Sequence, residues 1–563
     1  MMAKRGCPSE LGRTGNPAKL GRVLARSLSR TLICALATGT LSGLAAPGLV
    51  MAQQSSNAPI SQQGAADKPL SAIDWLSNSI TLPAPTPPSA QSGRSESDVA
   101  QTAAVAAVTV SPLARTKTDA VGLLPSHVTG FQSDLWGASR ADDLARRISG
   151  LPVDLLPALQ DLLNRLLLAE LDPPKGTSLA DDRLFLARVD RLLNIGALDQ
   201  ADALLARAGL TTPASFRRGF DTALLLGEED LTCRHLANAP ALSPTFPARI
   251  FCLARQGDWD AAVLSLGTAR ALGYISQEQD LLLSWFLDPD LFEGEPFLPK
   301  PGNPTPLTFR LYEAIGQHIA THTLPLAFAQ ADLRANIGWK ARAEAGERLA
   351  RVGAVSDNQI FGLYTERKPA ASGGVWDRMA AVQALDAALK TRDIDTLNVL
   401  LPALWTRLEE VDLELPFSRI FGPELNRFPL AKEAAWVALR MGLMSNASEQ
   451  IARQLPADLG PAPRTAILRA IALGDTISVV PVDAETEAVL EGFAARTMPT
   501  RLSGLVDQDR VGEAILRAIA LFSNGSLGDL DEVSDAIAFF RQIGLEDTAR
   551  AAALQFLILD RRG

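Results

Sequence analysis

Three short breaks of one form constrain the fold most. Gly196-Ala-Leu-Asp199, Gly227-Glu-Glu-Asp230 and Gly257-Asp-Trp-Asp260 are spaced 31 and 30 residues apart, and each separates two Leu/Ala-rich amphipathic runs. Glycine readily takes the left-handed conformation that ends a helix, and an Asp three residues later is expected to accept the N–H bonds that start the next one. Gly544-Leu-Glu-Asp547 repeats the form near the C-terminus, and Gly442-Leu-Met-Ser445 is a variant with Ser for Asp. Each break therefore reads as the turn of a helical hairpin. One hairpin cannot bury its own apolar face, so hairpins at a period near 30 are expected to stack into a superhelix. The expected fold is an all-α solenoid of stacked hairpins. Composition agrees: aromatic residues are only 6% of the 563 while Ala and Leu recur throughout, which favours helices over sheet.

The first 52 residues carry seven Lys or Arg and one acid, Glu10, before an uncharged apolar run from Thr31 to Ala52. That is the layout of a secretory signal peptide, with cleavage expected after Ala52 and a periplasmic destination. Cleavage takes the formal net charge from −9 to −15. Such a balance argues against nucleic acid and anionic lipid as partners, and no stable membrane insertion is expected after cleavage. Residues 53–139 are rich in Pro, Ser, Ala, Thr and Gln and read as a disordered tether. Within it, residues 71–82 place Ile73, Leu76 and Ile80 on one helical face beside Trp75, a candidate docking motif. Val105 to Val110 suit one short strand or an extended arm. Two helical-repeat subdomains are expected to follow, 140–355 and 376–563.

Of the four cysteines, Cys7 and Cys34 lie in the signal region, leaving Cys233 and Cys252 for an oxidising compartment. Cys233 falls at the start of the second helix of one hairpin and Cys252 near the end of the first helix of the next. Consecutive helices run antiparallel, so the two sulfurs should lie level and form a disulfide.

The stretch Ala248-Arg-Ile-Phe-Cys-Leu-Ala-Arg-Gln-Gly-Asp-Trp-Asp-Ala-Ala262 resembles a tetratricopeptide hairpin turn, a likeness that extends over residues 179–273 and implies a protein-binding scaffold. A helical superhelix in an exported protein also resembles the non-catalytic part of soluble lytic transglycosylases. The segments around Trp75 and Gly362 to Trp376 resemble a group of uncharacterised exported proteins labelled antifreeze-glycopeptide-related. Thr102-Ala-Ala occurs once, so no periodic ice-binding face follows from that label.

No cofactor or catalytic motif stands out: GxSxG, GxxxxGK[ST] and GxGxxG are absent. His318 and His322 are four apart, as on one helical face, but Ile319 stands where a zinc hydrolase motif needs Glu. Asp288 to Glu295 is an acidic loop without the spacing of a calcium-binding helix-loop-helix. The least helical stretch of the folded region carries Glu366, Arg367, Lys368 and Ser372 ahead of Trp376, and is the candidate binding loop. The expected role is a periplasmic scaffold or adaptor for an envelope protein, a peptide or a glycan such as peptidoglycan. The alternative is a peptidoglycan-acting envelope enzyme or its helical accessory.

Overall fold

The structure, a computed structural model, describes residues 117–559 apart from 179–180, 456–458 and 460. The signal region, the docking motif Ile73, Trp75, Leu76 and Ile80, and the Val105–Val110 island lie outside the described residues. Those residues form 25 α-helices and no strand, only an isolated parallel bridge between Leu124 and Ala169. Two helices are single turns, Ser126–Thr129 and Ala329–Asp332. The others are α1 Ala141–Gly150, α2 Pro157–Leu168, α3 Arg183–Asn194, α4 Leu198–Ala208, α5 Pro213–Leu226, α6 Glu229–Asn238, α7 Phe246–Arg255, α8 Trp259–Ala271, α9 Gln277–Leu287 and α10 Pro306–Ala314. They continue as α11 Trp339–Arg351, α12 Asp357–Thr365, α13 Val375–Thr391, α14 Ile394–Glu409, α15 Glu414–Leu425, α16 Lys432–Leu443 and α17 Ser448–Gln454. The last are α18 Ala462–Leu473, α19 Ala484–Ala494, α20 Thr500–Asp507, α21 Val511–Gly525, α22 Leu530–Gln542 and α23 Glu546–Ile558. None is long and apolar enough to cross a membrane.

Four of the five glycine breaks, at Gly196, Gly227, Gly257 and Gly544, are left-handed turns between helices, whereas Gly442 lies inside α16, which runs on to Leu443. Gly257, at φ 85°, follows α7, and the next N–H, of Asp258, donates to Leu253 O at 3.0 Å, satisfying a carbonyl that the helix end would otherwise orphan. The residues after Gly196, Gly227 and Gly544 make the same six-residue closure onto Leu192, Ala223 and Phe540. The acid three residues on does not cap the following helix as expected. Asp199, Asp230, Asp260 and Asp547 lie inside the first turns of α4, α6, α8 and α23. The glycine turn is so tight that the next helix begins earlier, and the acids act on its positive N-terminus instead. Of these four helices only α8 has an Asp cap, Asp258, which accepts from Ala261 N at 3.2 Å.

Helices adjacent in sequence pack as antiparallel pairs, among them α7 with α8, α13 with α14, α15 with α16 and α21 with α22. Packing also joins the two ends of the described chain: α1 lies on α21 and α2 on α23. Glu513 of α21, buried, accepts from Arg147 Nε at 2.8 Å and from Arg510 Nη2 at 2.6 Å. Gln555 Oε1 accepts from Ala158 N at 2.7 Å, at the start of α2. Helices 140–355 and 376–563 are thus in contact through α1 with α21 and α2 with α23, as well as through α11 with α13.

Ordered structure begins before Arg140, so the expected extent of the tether, 53–139, is corrected at its C-terminal end. Phe131, Trp136 and Ser139 are buried, and Trp136 packs against Gly512, where even a methyl group would collide with its ring. Asp119, fully buried, caps α3 from a distance, its Oδ1 accepting from Phe185 N at 2.8 Å. Arg188, also buried, donates to Leu167 O, Asp119 O and Ala169 O at 2.7, 3.1 and 3.0 Å, closing the C-terminal end of α2. Burial pushes the Asp119 carboxyl up to about 6 and pulls the Arg188 guanidinium down to about 10.

Candidate functional site

The Cys233–Cys252 disulfide is present, with Cα atoms 5.0 Å apart, and ties α6 to α7. It clamps the first of the helices that carry the least ordinary surface of the molecule. Nine of the fifteen exposed large apolar side chains among the described residues fall between Leu231 and Phe297. Helix α8 explains part of this. Its Ala262, Leu266 and Ala269 are buried, while Trp259 and Val263, one turn apart on a flank, and Leu264, on the opposite side, are exposed, Leu264 at 73%. Leu281 of α9 and, beyond it, Leu291 and Phe297 extend the apolar surface. Isolated exposed apolar residues are ordinary, but a concentration on neighbouring elements marks an interaction surface. Asp258, Asp260, Asp288, Asp290, Glu293 and Glu295 are exposed in the same stretch and make it acidic.

Behind that face, aromatic rings link the helices. Phe220 of α5 meets Phe251 of α7 edge-on at 6.4 Å, Phe251 stacks on Phe286 of α9 at 5.7 Å, and Phe246 stacks on Tyr274 at 4.9 Å. Between α5, α7, α9 and α10 they leave a cavity of about 500 Å³, walled by Phe220, Phe246, Tyr274, Leu282, Leu283 and Leu311. Arg217 and Asp221, one turn apart on α5, are its charged lining residues. Asp221 is 6% exposed and its Oδ2 has no hydrogen-bond partner. Burial pushes its carboxyl up to about 7, against the opposing pull of Arg217 and Arg218. Thr245, Ser276 and Thr305 also line the cavity, and each caps a helix, accepting from the N–H of Ala248, Gln279 and Thr308. Three helix N-termini therefore border it.

A second cavity, about 740 Å³, lies where the chain ends meet, between α2, α15, α18 and α23. Its charges are mixed: Arg165 donates to Thr548 at 3.2 Å, Arg419 pairs with Asp161, and Arg550 donates to Glu546 at 3.0 Å.

The candidate binding loop follows α12. Glu366, Arg367, Lys368 and Ser372 are exposed, while Trp376 is half-buried and meets Trp339 edge-on at 5.2 Å. Glu366 is tied to Arg342 at 2.7 Å, and Gln383 donates to the Arg367 carbonyl at 2.7 Å. The residues are brought together as a connector pinned at both ends. Neither cavity above includes them. His318 and His322 are not on a helix, contrary to the expectation from their spacing. Gly316, at φ 77°, ends the helical region, and from Gln317 to His322 buried and exposed residues alternate with a period of two. Among the described residues no group of three or more His, Cys, Asp or Glu is placed to hold a metal. The Asp288–Glu295 loop is an exposed 3₁₀ turn held by Phe292 stacking on Trp285 at 5.0 Å.

Two other buried acids form ion pairs: Glu229 with Arg310 at 2.8 Å, and Glu347 with Arg378 at 2.6 Å, the latter also accepting from the Tyr364 hydroxyl at 2.5 Å. The apolar face and the Asp221 cavity went unnoticed in the sequence; the signal for the first was Val263-Leu264 lying outside the small-residue side of α8. Compared with known proteins, no family model, no curated protein and no solved structure matches this chain.

Proposed function

We propose that the chain is a periplasmic scaffold or adaptor, a solenoid of tetratricopeptide-like hairpins that holds a protein or peptide partner of the cell envelope on the outer face of α8 and α9. The carrying observation is the concentration of exposed apolar side chains between Leu231 and Phe297. Aliphatic rather than hydroxyl- or amide-rich chemistry favours an apolar polypeptide segment over a glycan strand. The acids of the same stretch favour a segment flanked by Lys or Arg, since complementary charge steers docking. Contacts of α4 with α5 and of α6 with α7 support neighbour-on-neighbour stacking. The disulfide fits an oxidising compartment, in keeping with the signal-peptide layout. Ion pairing of Glu229, Glu347 and Glu513 leaves those acids to the architecture rather than to acid-base chemistry.

The test compares the mature protein with its Leu264→Glu variant as bait for envelope extract. The reading expects a discrete partner that is retained by the parent, lost by the variant and released by salt. Equal capture by both baits, or no capture by either, contradicts it.

A further inference from the structure

Five exposed residues of α8 lie opposite its buried side: Asp260, Leu264, Gly267, Thr268 and Ala271, at spacings of three and four. Gly267 is the odd member. Glycine is a poor helix former, yet Gly267 stands mid-helix and not at a left-handed turn. Nor does the interior require it, because a methyl group there would touch nothing beyond its own stretch of helix within 4 Å. Two other mid-helix glycines are as open, Gly362 of α12 and Gly504 of α20. Their exposed neighbours one turn away are polar: Asn358, Gln359 and Glu366 around the first, Arg501, Asp507 and Gln508 around the second. Gly267 is instead bordered by exposed Val263, Leu264 and Ala271, with Arg270 at the edge tied to Asp280 at 2.7 Å. Apolar surface and room for close approach coincide there.

That face dictates the shape of what it can hold. Leu264, Gly267 and Ala271 offer no side-chain hydrogen bonds, and the Thr268 hydroxyl already donates to Leu264 O at 2.8 Å. The backbone of α8 is bonded within the helix, and among the described residues there is no strand whose edge an extended peptide could join. An extended segment would therefore bury its own N–H and C=O groups unpaired, which folded proteins avoid. A helix brings its backbone bonds with it. From Asp260 to Ala271 the face is about 17 Å long, roughly three helical turns. Its small residues let a second helix approach to the short end of the roughly 8–10 Å at which helices pack. Asp258 and Asp260, both exposed at one end of the face, set the sign of the charge it meets.

We propose that the segment held on this surface is an amphipathic α-helix of about three turns, lying across Gly267 with a Leu/Ala stripe inward and a Lys or Arg beside Asp258 and Asp260. The inference rests on the docking face described under the proposed function and specifies the form of the partner.

Fluorescence anisotropy of the mature protein with three labelled peptides, each of about 14 residues built from Leu, Ala and Lys, tests it. The first sets Leu at helical spacing, the second has the same residues in strand-like alternation, and the third is the first with Pro at its centre. The first should bind saturably and gain helix by circular dichroism. The other two should bind about tenfold more weakly or worse. Gly267→Leu fills the open space while favouring its own helix, so it should raise the melting temperature and weaken the first peptide about tenfold. Leu264→Asn, which removes apolar surface, should weaken it too. Tight binding of the alternating or Pro peptide that Leu264→Asn abolishes would overturn the helix and leave the docking face standing. So would binding of the first peptide that Leu264→Asn weakens and Gly267→Leu does not. No saturable binding of any peptide, or binding that neither variant changes, would contradict the docking face as well.

Discussion

Replacing Asp221 by Asn should stabilise the protein, and increasingly so as pH rises from 4 to 7. The carboxyl is buried beside Phe220 with one oxygen unpartnered, and its native value is pushed from 3.8 to about 7. An acid whose value is raised on folding binds its proton more tightly in the native state. The stability it permits is therefore complete below pH 3.8, where both states are protonated, and is lost as pH climbs towards 7. At about 1.4 kcal/mol per pH unit, the loss reaches about 4 kcal/mol and then levels off. Arg217 and Arg218 are the charged groups that oppose it, and their pull is already contained in that value. Asn keeps the shape and cannot ionise, so its advantage should grow across this window. Urea unfolding of both proteins from pH 4 to pH 8 reads the difference directly. A difference that stays constant across the range, or shrinks with rising pH, would refute the claim that burial holds the native carboxyl above its ordinary value.

Other outcomes follow from the fold. Replacing Cys233 and Cys252 together by Ser should cost about 3 kcal/mol, by loop-closure entropy for a separation of 19 residues, with thermal unfolding as the readout and no effect of reductant on the variant. Arg392 ends α13 in the left-handed region, at φ 57°, so Arg392→Gly should raise stability by about 1 kcal/mol; an unchanged or lower melting temperature would count against that backbone. Glu513→Ala should cost about 1–3 kcal/mol, because Arg147 and Arg510 lose the charge-assisted hydrogen bonds they donate to it; amide exchange should then speed up in α1, more than 360 residues away in sequence, and exchange unchanged there would mean the chain ends are not coupled.

The hairpins were legible because glycine leaves a trace at the turn itself, and the register they set was enough to pair Cys233 with Cys252. Where the chain makes the same turn without glycine, the trace vanishes. Arg392, Asp412 and Asp509 all take positive φ, and the residue after each closes back five positions onto the preceding helix, as at the glycine turns. The stretch from Lys117 to Ser139 read as tether because its order comes from tertiary burial of a few residues, Asp119 against α3, Phe131 beneath Arg165, and Trp136 against Gly512 at the far end of the chain. Spacing misled at His318 and His322, where four residues mean one face only if the backbone is helical. Asp221 carried no signal at all. Its isolation is produced by Phe246 and Tyr274, from segments 25 and 53 residues downstream, closing over one side of α5.

The central claim is that α8 and α9 present a docking face for an envelope polypeptide. Site-specific photo-crosslinking tests it in place: a photoreactive phenylalanine analogue at Leu264, and for comparison at exposed Glu487 on α19, in the exported protein within intact cells. The account predicts a discrete protein adduct from position 264 and none from position 487. The same adducts from both positions, or none from 264, would contradict it.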